Sequence, residues 1–304
     1  ATGVTASQVS SSALLVCLIL FLIGITGTIN FIGRLIPKQV IRGVQLSTGI
    51  LLMTQGVKLI IGQSSLQLAA GNVEPFLSVQ AFAGIDIGII FGTAGALLSL
   101  FLLQNKKYPA GIVLIIFGIL CGVAWGTYDG FAQFRPGLYF PDILPFGFPS
   151  GADLSIAFFV LVLPQIPMTI GNAIIANADL SAEYFGEESK KVTYRSTTLS
   201  MAFANGLSTL LGGIPMCHGA GGLAAHYKFG ARTGGSNIII GGLFLALALL
   251  CGPHVLAFIH LLPLSILATV AVGVLGAPNR GEKGSHSSST RQAKRRRSVA
   301  ENTG

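Results

Sequence analysis

Residues 212–223 read Gly212-Gly213-Ile214-Pro215-Met216-Cys217-His218-Gly219-Ala220-Gly221-Gly222-Leu223, a proline- and glycine-rich break between long apolar segments. Unpaired backbone N–H and C=O groups cost several kcal/mol each in hydrocarbon, so broken backbone at membrane depth survives only when buried in protein or lining a cavity. Such interruptions point to the solute site of a membrane carrier. Pro215 enters in extended form, and a helix is expected to start near Cys217 or His218 with its first N–H groups unpaired. Those donors, from Cys217, His218, Gly219, Ala220, Gly221 and Gly222, join the positive end of the helix dipole to make an anion cradle. The three glycines let a solute approach the backbone closely. The other reading of the stretch is a glycine-rich helix-packing surface.

Working outward, composition fixes the class. Of 304 residues, 51% are hydrophobic and only 10% charged, and the mean hydropathy is +0.72. Soluble domains carry about 25% charged residues, and one membrane-spanning helix needs about 20 apolar residues. The chain therefore reads as an all-α polytopic membrane protein. The net charge of +8 misleads, because the tail after Pro278 holds seven basic residues against two acidic ones. Nothing in it supports nucleic-acid binding. Cys17, Cys121, Cys217 and Cys251 fall within or beside apolar segments and read as small buried hydrophobes rather than a disulfide framework. With no initiator methionine and no basic leader before the first apolar run, Ala1 reads as an internal start.

Apolar runs give eight spans and one short one, at 11–33, 44–62, 84–103, 110–126, 153–178, 197–213, a half-helix at 215–227, 236–251 and 255–276. Together they make residues 1–276 one transmembrane region. Sorting Lys and Arg by loop sets one side apart. Arg34, Lys38 and Arg42, then Lys106 and Lys107, Lys190, Lys191 and Arg195, Lys228 and Arg232, and the tail all share it, whereas the other side holds only Arg135. By the positive-inside rule the basic side is cytoplasmic. The half-helix is needed for that alternation, since without it Lys228 and Arg232 fall on the wrong side. Residues 127–150, proline-rich, read as an ordered external loop, and 277–304 as a basic, disordered cytoplasmic tail.

A second interruption, Leu163-Pro164-Gln165-Ile166-Pro167-Met168-Thr169-Ile170-Gly171-Asn172, lies mid-span. Two prolines three residues apart free carbonyls there. Gln165, Thr169 and Asn172, spaced four and three apart, share one helical face. They form either a second wall of the site or a polar stripe packed on neighbouring helices. His218 has three readings: donor to an anion, proton carrier, or a ring hydrogen-bonded within the bundle. Cys217, His218 and His226 lack a carboxylate or second close cysteine to complete a metal site, so no metal is expected. No nucleophile–base pair or phosphate loop is visible, and an enzyme is not expected; nor is a cofactor. Asp86, Asp153 and Asp179 stand at span ends, and none is a clear intramembrane carboxylate for proton coupling.

The two interrupted segments, 164–186 and 212–234, resemble the paired signatures of the molybdate transporter family, a branch of the sulfate permease superfamily. Residues 24–52 are similar to the region ahead of them, and the resemblance covers roughly 10–275. It implies a partial seven-plus-seven inverted-repeat transporter fold, in which a core domain moves against a gate domain and an oxyanion lies between two half-helix N-termini. By the same likeness the first three and last two segments are absent from this chain. The expected function is secondary transport of a tetrahedral oxyanion, molybdate first and sulfate second, bound by Gln165, Thr169, Asn172 and residues 217–222. The alternatives are a nucleobase or other solute permease of related fold, or a non-transporting truncated chain. The expected partners are the oxyanion and the bilayer, with a homodimer left open; plasma and internal membranes are not distinguished.

Overall fold

Local capping chemistry sets the first helix. Thr5 and Gln8 form a capping box at the start of α1 (Ala6–Thr26), and Gly27, at φ 71°, ends it in the left-handed region that favours glycine. That turn splits the expected span 11–33, and α2 (Thr28–Leu35) follows. The structure, a computed structural model, describes residues 3–103, 110–127, 135, 137–228, 230–255 and 262–269. Lys106, Lys107, the tail 277–304 and most of the expected last span lie outside these residues.

The chain continues through α3 (Lys38–Ile60), α4 (Ser65–Ala70), a two-residue hairpin of β1 (Ala81–Phe82) and β2 (Ile85–Asp86), α5 (Ile87–Leu103) and α6 (Ala110–Trp125). Next comes one continuous helical stretch, Gly151–Ser189. Within it α7 (Gly151–Ile156), α8 (Leu163–Met168) and α9 (Ala176–Phe185) are joined by wide π-type turns at Ala157–Val162 and Thr169–Ile175. The two prolines were expected to break this span. The helix instead passes through them, because a wide turn on either side absorbs the missing donors and the ring clash. The remaining helices are α10 (Tyr194–Leu210), α11 (Ala220–Lys228) and α12 (Gly235–Cys251). Among the described residues three helical stretches are long and apolar enough to cross a membrane, Ala6–Thr26, Arg42–Ala70 and Gly151–Ser189. Many large hydrophobic side chains face outward, among them Leu22, Phe101, Phe203 and Ile238. A bilayer covers such a surface; water does not.

Two apolar clusters organise the helices. The first joins Val16 and Leu20 of α1, Ile29 of α2, Val162 and Ile174 of the long helix, Met201 of α10 and Ala220 of α11. Small residues let its helices close: a Cβ at Gly24 would stand 2.7 Å from Leu199, and one at Gly33 2.6 Å from the Tyr194 ring. Arg195 of α10 donates from Nε to the Gly24 carbonyl (3.0 Å) and from Nη2 to the Ile25 carbonyl (3.2 Å), so a cation closes the C-terminal turn of α1. The second cluster gathers Leu77, Ile87, Phe91, Cys121 and Ile266. Helix α3 packs on α5 and also on α9, α11 and the 169–175 turn, so it touches both groups.

Glu74 fastens the second cluster. It is fully buried, and its two carboxyl oxygens accept from the Leu264 N–H (2.9 Å) and the Ser265 N–H (2.8 Å) at the start of the helical stretch 264–269. Burial pushes this carboxyl above the usual glutamate range, partly offset by the bonds from Ser265 and Leu264. A carboxyl raised in the fold binds its proton more tightly folded than unfolded. Its contribution is therefore complete below the ordinary glutamate value and is lost as pH rises through the raised one. Glu74→Gln keeps one acceptor and turns an amide NH2 on the other N–H, and should cost about 1–3 kcal/mol. Melting of the two proteins in detergent across pH checks both statements: the gap between them should widen as pH falls through that window.

Candidate functional site

The break forms on α10. That helix ends at Leu210, Gly212 turns at φ 66°, and residues 213–219 run without regular secondary structure to α11. A series of polar side chains on α10 holds this segment. Ser208 Oγ donates to the Ile214 carbonyl at 2.6 Å. Asn205, fully buried, grips Met216 twice: Nδ2 donates to its carbonyl (2.9 Å) and Oδ1 accepts from its N–H (3.0 Å). Ser200 Oγ and His218 Nε2 lie 2.8 Å apart. The Ile214 carbonyl and both backbone groups of Met216 are thus satisfied by α10 side chains, and the His218 side chain is tied to the same helix.

The helix expected from Cys217 or His218 begins at Ala220, so its first turn is shorter than the sequence suggests and Cys217 and His218 sit in the lead-in. The His218 ring reaches α10 through Ser200, which fits the hydrogen-bonded reading of that residue. Gly222 N–H bonds the Gly219 carbonyl at 3.0 Å, and the amides ahead of it belong to the turn that has no helical acceptor. A Cβ on Gly221 or Gly222 would meet no heavy atom within 4 Å. The protein leaves that face open.

The second interrupted segment comes to the same place. A Cβ on Gly219 would lie 3.7 Å from Asn172 Nδ2, so the polar stripe of the long helix and the start of α11 face each other. Thr169 and Asn172 are 5% and 8% exposed, and Gln165 is half-buried. Among the described residues none of these three side chains has a hydrogen-bond partner. Buried amides and hydroxyls are seldom left bare, because each costs about 1–3 kcal/mol. Of the three, Asn172 is the one brought beside the head of α11, and Thr169 and Asn172 lie in the wide turn at Thr169–Ile175. Of the nine site residues named from the sequence, Asn172 and Gly219 meet directly; Thr169 lies one helical turn back on the same face, with Gln165 a further turn away. Cys217 is exposed. Among the described residues no group of three or more His, Cys, Asp or Glu is placed to hold a metal.

The sequence reading missed Ser200, Asn205 and Ser208. Their signal was present, a lone amide flanked by hydroxyls inside an apolar span, but its partners are backbone atoms that no side-chain pattern reveals. Asp179 accepts from the Tyr194 hydroxyl at 2.7 Å, which ties α9 to α10.

The fold and site together define a helical integral membrane protein with a polar site at an interrupted helix. The architecture is shared with the transmembrane domain of a cyanobacterium bicarbonate transporter, BicA, with a TM-score of 0.59, 18% identity, and coverage of 88% of this chain and 68% of that one. This likeness is one of fold, and it agrees with the expected all-α polytopic membrane architecture. Residues 157–275 match the family model described as molybdate transporter of MFS superfamily. Molybdate transporter 2 of Arabidopsis thaliana is 28% identical over 88% of this chain and 61% of its own length. Molybdate transporter 1 of Chlamydomonas reinhardtii is 34% identical over 54% and 32%, and molybdate transporter 1 of Arabidopsis thaliana 26% identical over 85% and 58%. Over these stretches the chain is similar to molybdate transporters, and it spans about three fifths of the length of the two plant relatives. That kinship is with transporters, not enzymes.

The α10 series makes a measurable claim. Asn205→Ala removes two bonds to Met216 and strands its part-buried N–H and C=O, so stability should fall by about 2–3 kcal/mol. Ser208→Ala removes one bond and should cost about 1 kcal/mol. Denaturant melts of the purified protein that ranked Ser208→Ala as the worse of the two would contradict the assignment.

Proposed function

We propose that this chain forms the solute-binding part of a secondary transporter for a tetrahedral oxyanion, molybdate first and sulfate second. The observation that carries the reading is the approach of the unpartnered, buried Asn172 side chain to Gly219 at the head of α11. A divalent oxyanion offers acceptors in all directions and has no proton donor of its own. A wall of neutral donors (Gln165, Thr169, Asn172) facing first-turn amides suits it, and the dipole end contributes roughly half a positive charge. The names of the plant and algal relatives support molybdate as the cargo. No acidic residue lies in 163–172 or 212–223, which disfavours a solute that presents donors. His218 then acts as a tie that holds the lead-in to α10. Thr169, one turn along the same face, completes the wall, with Gln165 at its edge.

The test uses the full-length protein. A Cβ at Gly221 or Gly222 meets no protein atom within 4 Å, and by helix propensity valine is no worse than the glycine it replaces. Any large loss therefore reports an obstructed solute rather than a damaged fold. Gly221→Val and Gly222→Val should each cut molybdate uptake at least about tenfold, or about 1.4 kcal/mol, with unchanged membrane expression. Uptake that stays at the wild-type rate in both variants would refute the cradle. Asn172→Ala should weaken molybdate more than it weakens folding, since it removes a group with no protein partner.

A further inference from the structure

At the other end of α11 the chain makes a second concentration of unpaired polar groups. The loop Ala231-Arg232-Thr233-Gly234 leads into Gly235 and the start of α12, and a cavity of about 500 Å³ opens between this loop, the end of α9 and the end of α11. Asn177 and Ser181 of α9, His226 of α11 and Asn237 of α12 line it. Among the described residues none of these four side chains has a hydrogen-bond partner, and Ser181 is only 5% exposed. Asn237 is exposed and Asn177 and His226 partly so, but the nearly buried Ser181 faces the cavity with no protein partner, where packing usually pairs or expels such a group.

The electrostatics favour an anion. Helix α12 runs for 17 residues from this cavity and presents its positive end to it. The negative end of α11 is already occupied: Arg232 Nη1 donates to the Tyr227 and Ala231 carbonyls. The guanidinium lies 3.8 Å above the Tyr227 ring, and Tyr184 stacks on that ring at 4.1 Å. Two groups this close to one ring occupy opposite faces, so Arg232 is held in a fixed pose. Its Nε and Nη2 donors have no hydrogen-bond partner among the described residues, and the charge is permanent. Glu188, exposed on the rim, opposes it through a screened carboxylate.

We propose that this cavity is a second oxyanion site, distinct from the cradle at the head of the same helix and placed at the basic end of the bundle. Arg232, Ser181, Asn177 and Asn237 donate to the ligand, and His226 joins them through an N–H. Molybdate in transit and inorganic phosphate or a phosphate ester share this chemistry. Only the identification with cargo rests on the proposed transport reading; the site itself does not.

The decisive measurement is equilibrium dialysis of radioactive molybdate against purified full-length protein, with inorganic phosphate as competitor. The expected result is two bound molybdates per chain. Gly221→Val should remove one, and Ser181→Ala combined with Asn237→Ala the other, with at least tenfold weaker binding. Both alanine changes delete unpartnered groups, so melting temperature should hold or rise, which shows that the variant folds. Glu188→Gln should tighten the second site severalfold by removing the opposing charge. Phosphate that displaces only the Ser181-dependent molybdate assigns the site to phosphate-type ligands, whereas indifference to phosphate assigns it to the cargo. Stoichiometry unchanged by the double variant, or a wild type that binds only the Gly221-sensitive molybdate, overturns the proposal. Loss of binding in the double variant with none in Gly221→Val sinks the cradle and leaves this site standing.

Discussion

A segment without regular secondary structure inside an apolar bundle has to find partners for its backbone groups, and the grip of Asn205 on Met216 supplies one donor and one acceptor here. A primary amide is the only neutral side chain that offers a donor and an acceptor at the spacing of a peptide group, so it replaces a neighbouring strand. Ser208 and Ser200 extend the pairing toward either end of the segment. With the lead-in fixed, α11 starts at Ala220 and its unpaired amides point at the long helix. Loosening the grip would not simply weaken the fold. It would free the one stretch whose position decides where those amides face.

How much of this was legible follows from the kind of interaction involved. Composition and apolar runs revealed the membrane class and nearly every helix, because hydrocarbon demands long apolar segments whatever their neighbours. The two interruptions were visible from Pro164, Pro167, Pro215 and the glycines of 219–222. Their shapes were not. Prolines 164 and 167 looked like a break, yet the backbone stays helical by widening its turns, a choice set by the packing of Val162, Ile174 and Ile175 into the first cluster. The start of α11 was placed two or three residues early because the lead-in depends on α10, a contact that sequence spacing does not encode. Glu74 was passed over for the same reason. As a loop acid it looks solvated, and only the fold brings the 264–265 amides to it.

The two clusters also divide the labour of the molecule. Both walls of the candidate site, the Asn172 face and the head of α11, grow from the first cluster, where α1 and α10 make the most extensive helix contact in the chain. The site is therefore internally rigid: its walls share one packed body, and Asp179, Tyr194 and Arg195 add polar ties within it. The second cluster has its own fastening in Glu74. Helix α3 meets both bodies, laying Val44 against Gly171, where a Cβ would come within 3.6 Å of it.

A carrier that alternates its access needs a site that keeps its geometry while its surroundings change, which is easier when the bound solute is held by one body. If the walls belonged to different bodies, every cycle would dismantle the donor set and forfeit the binding energy of the solute. The contacts of α3 with the 169–175 turn and α11 include Val44 packed toward Gly171. Dispersion contacts of that kind are individually weak and non-directional, whereas the amide pairing at Met216 is directional and fixes the segment that leads into α11.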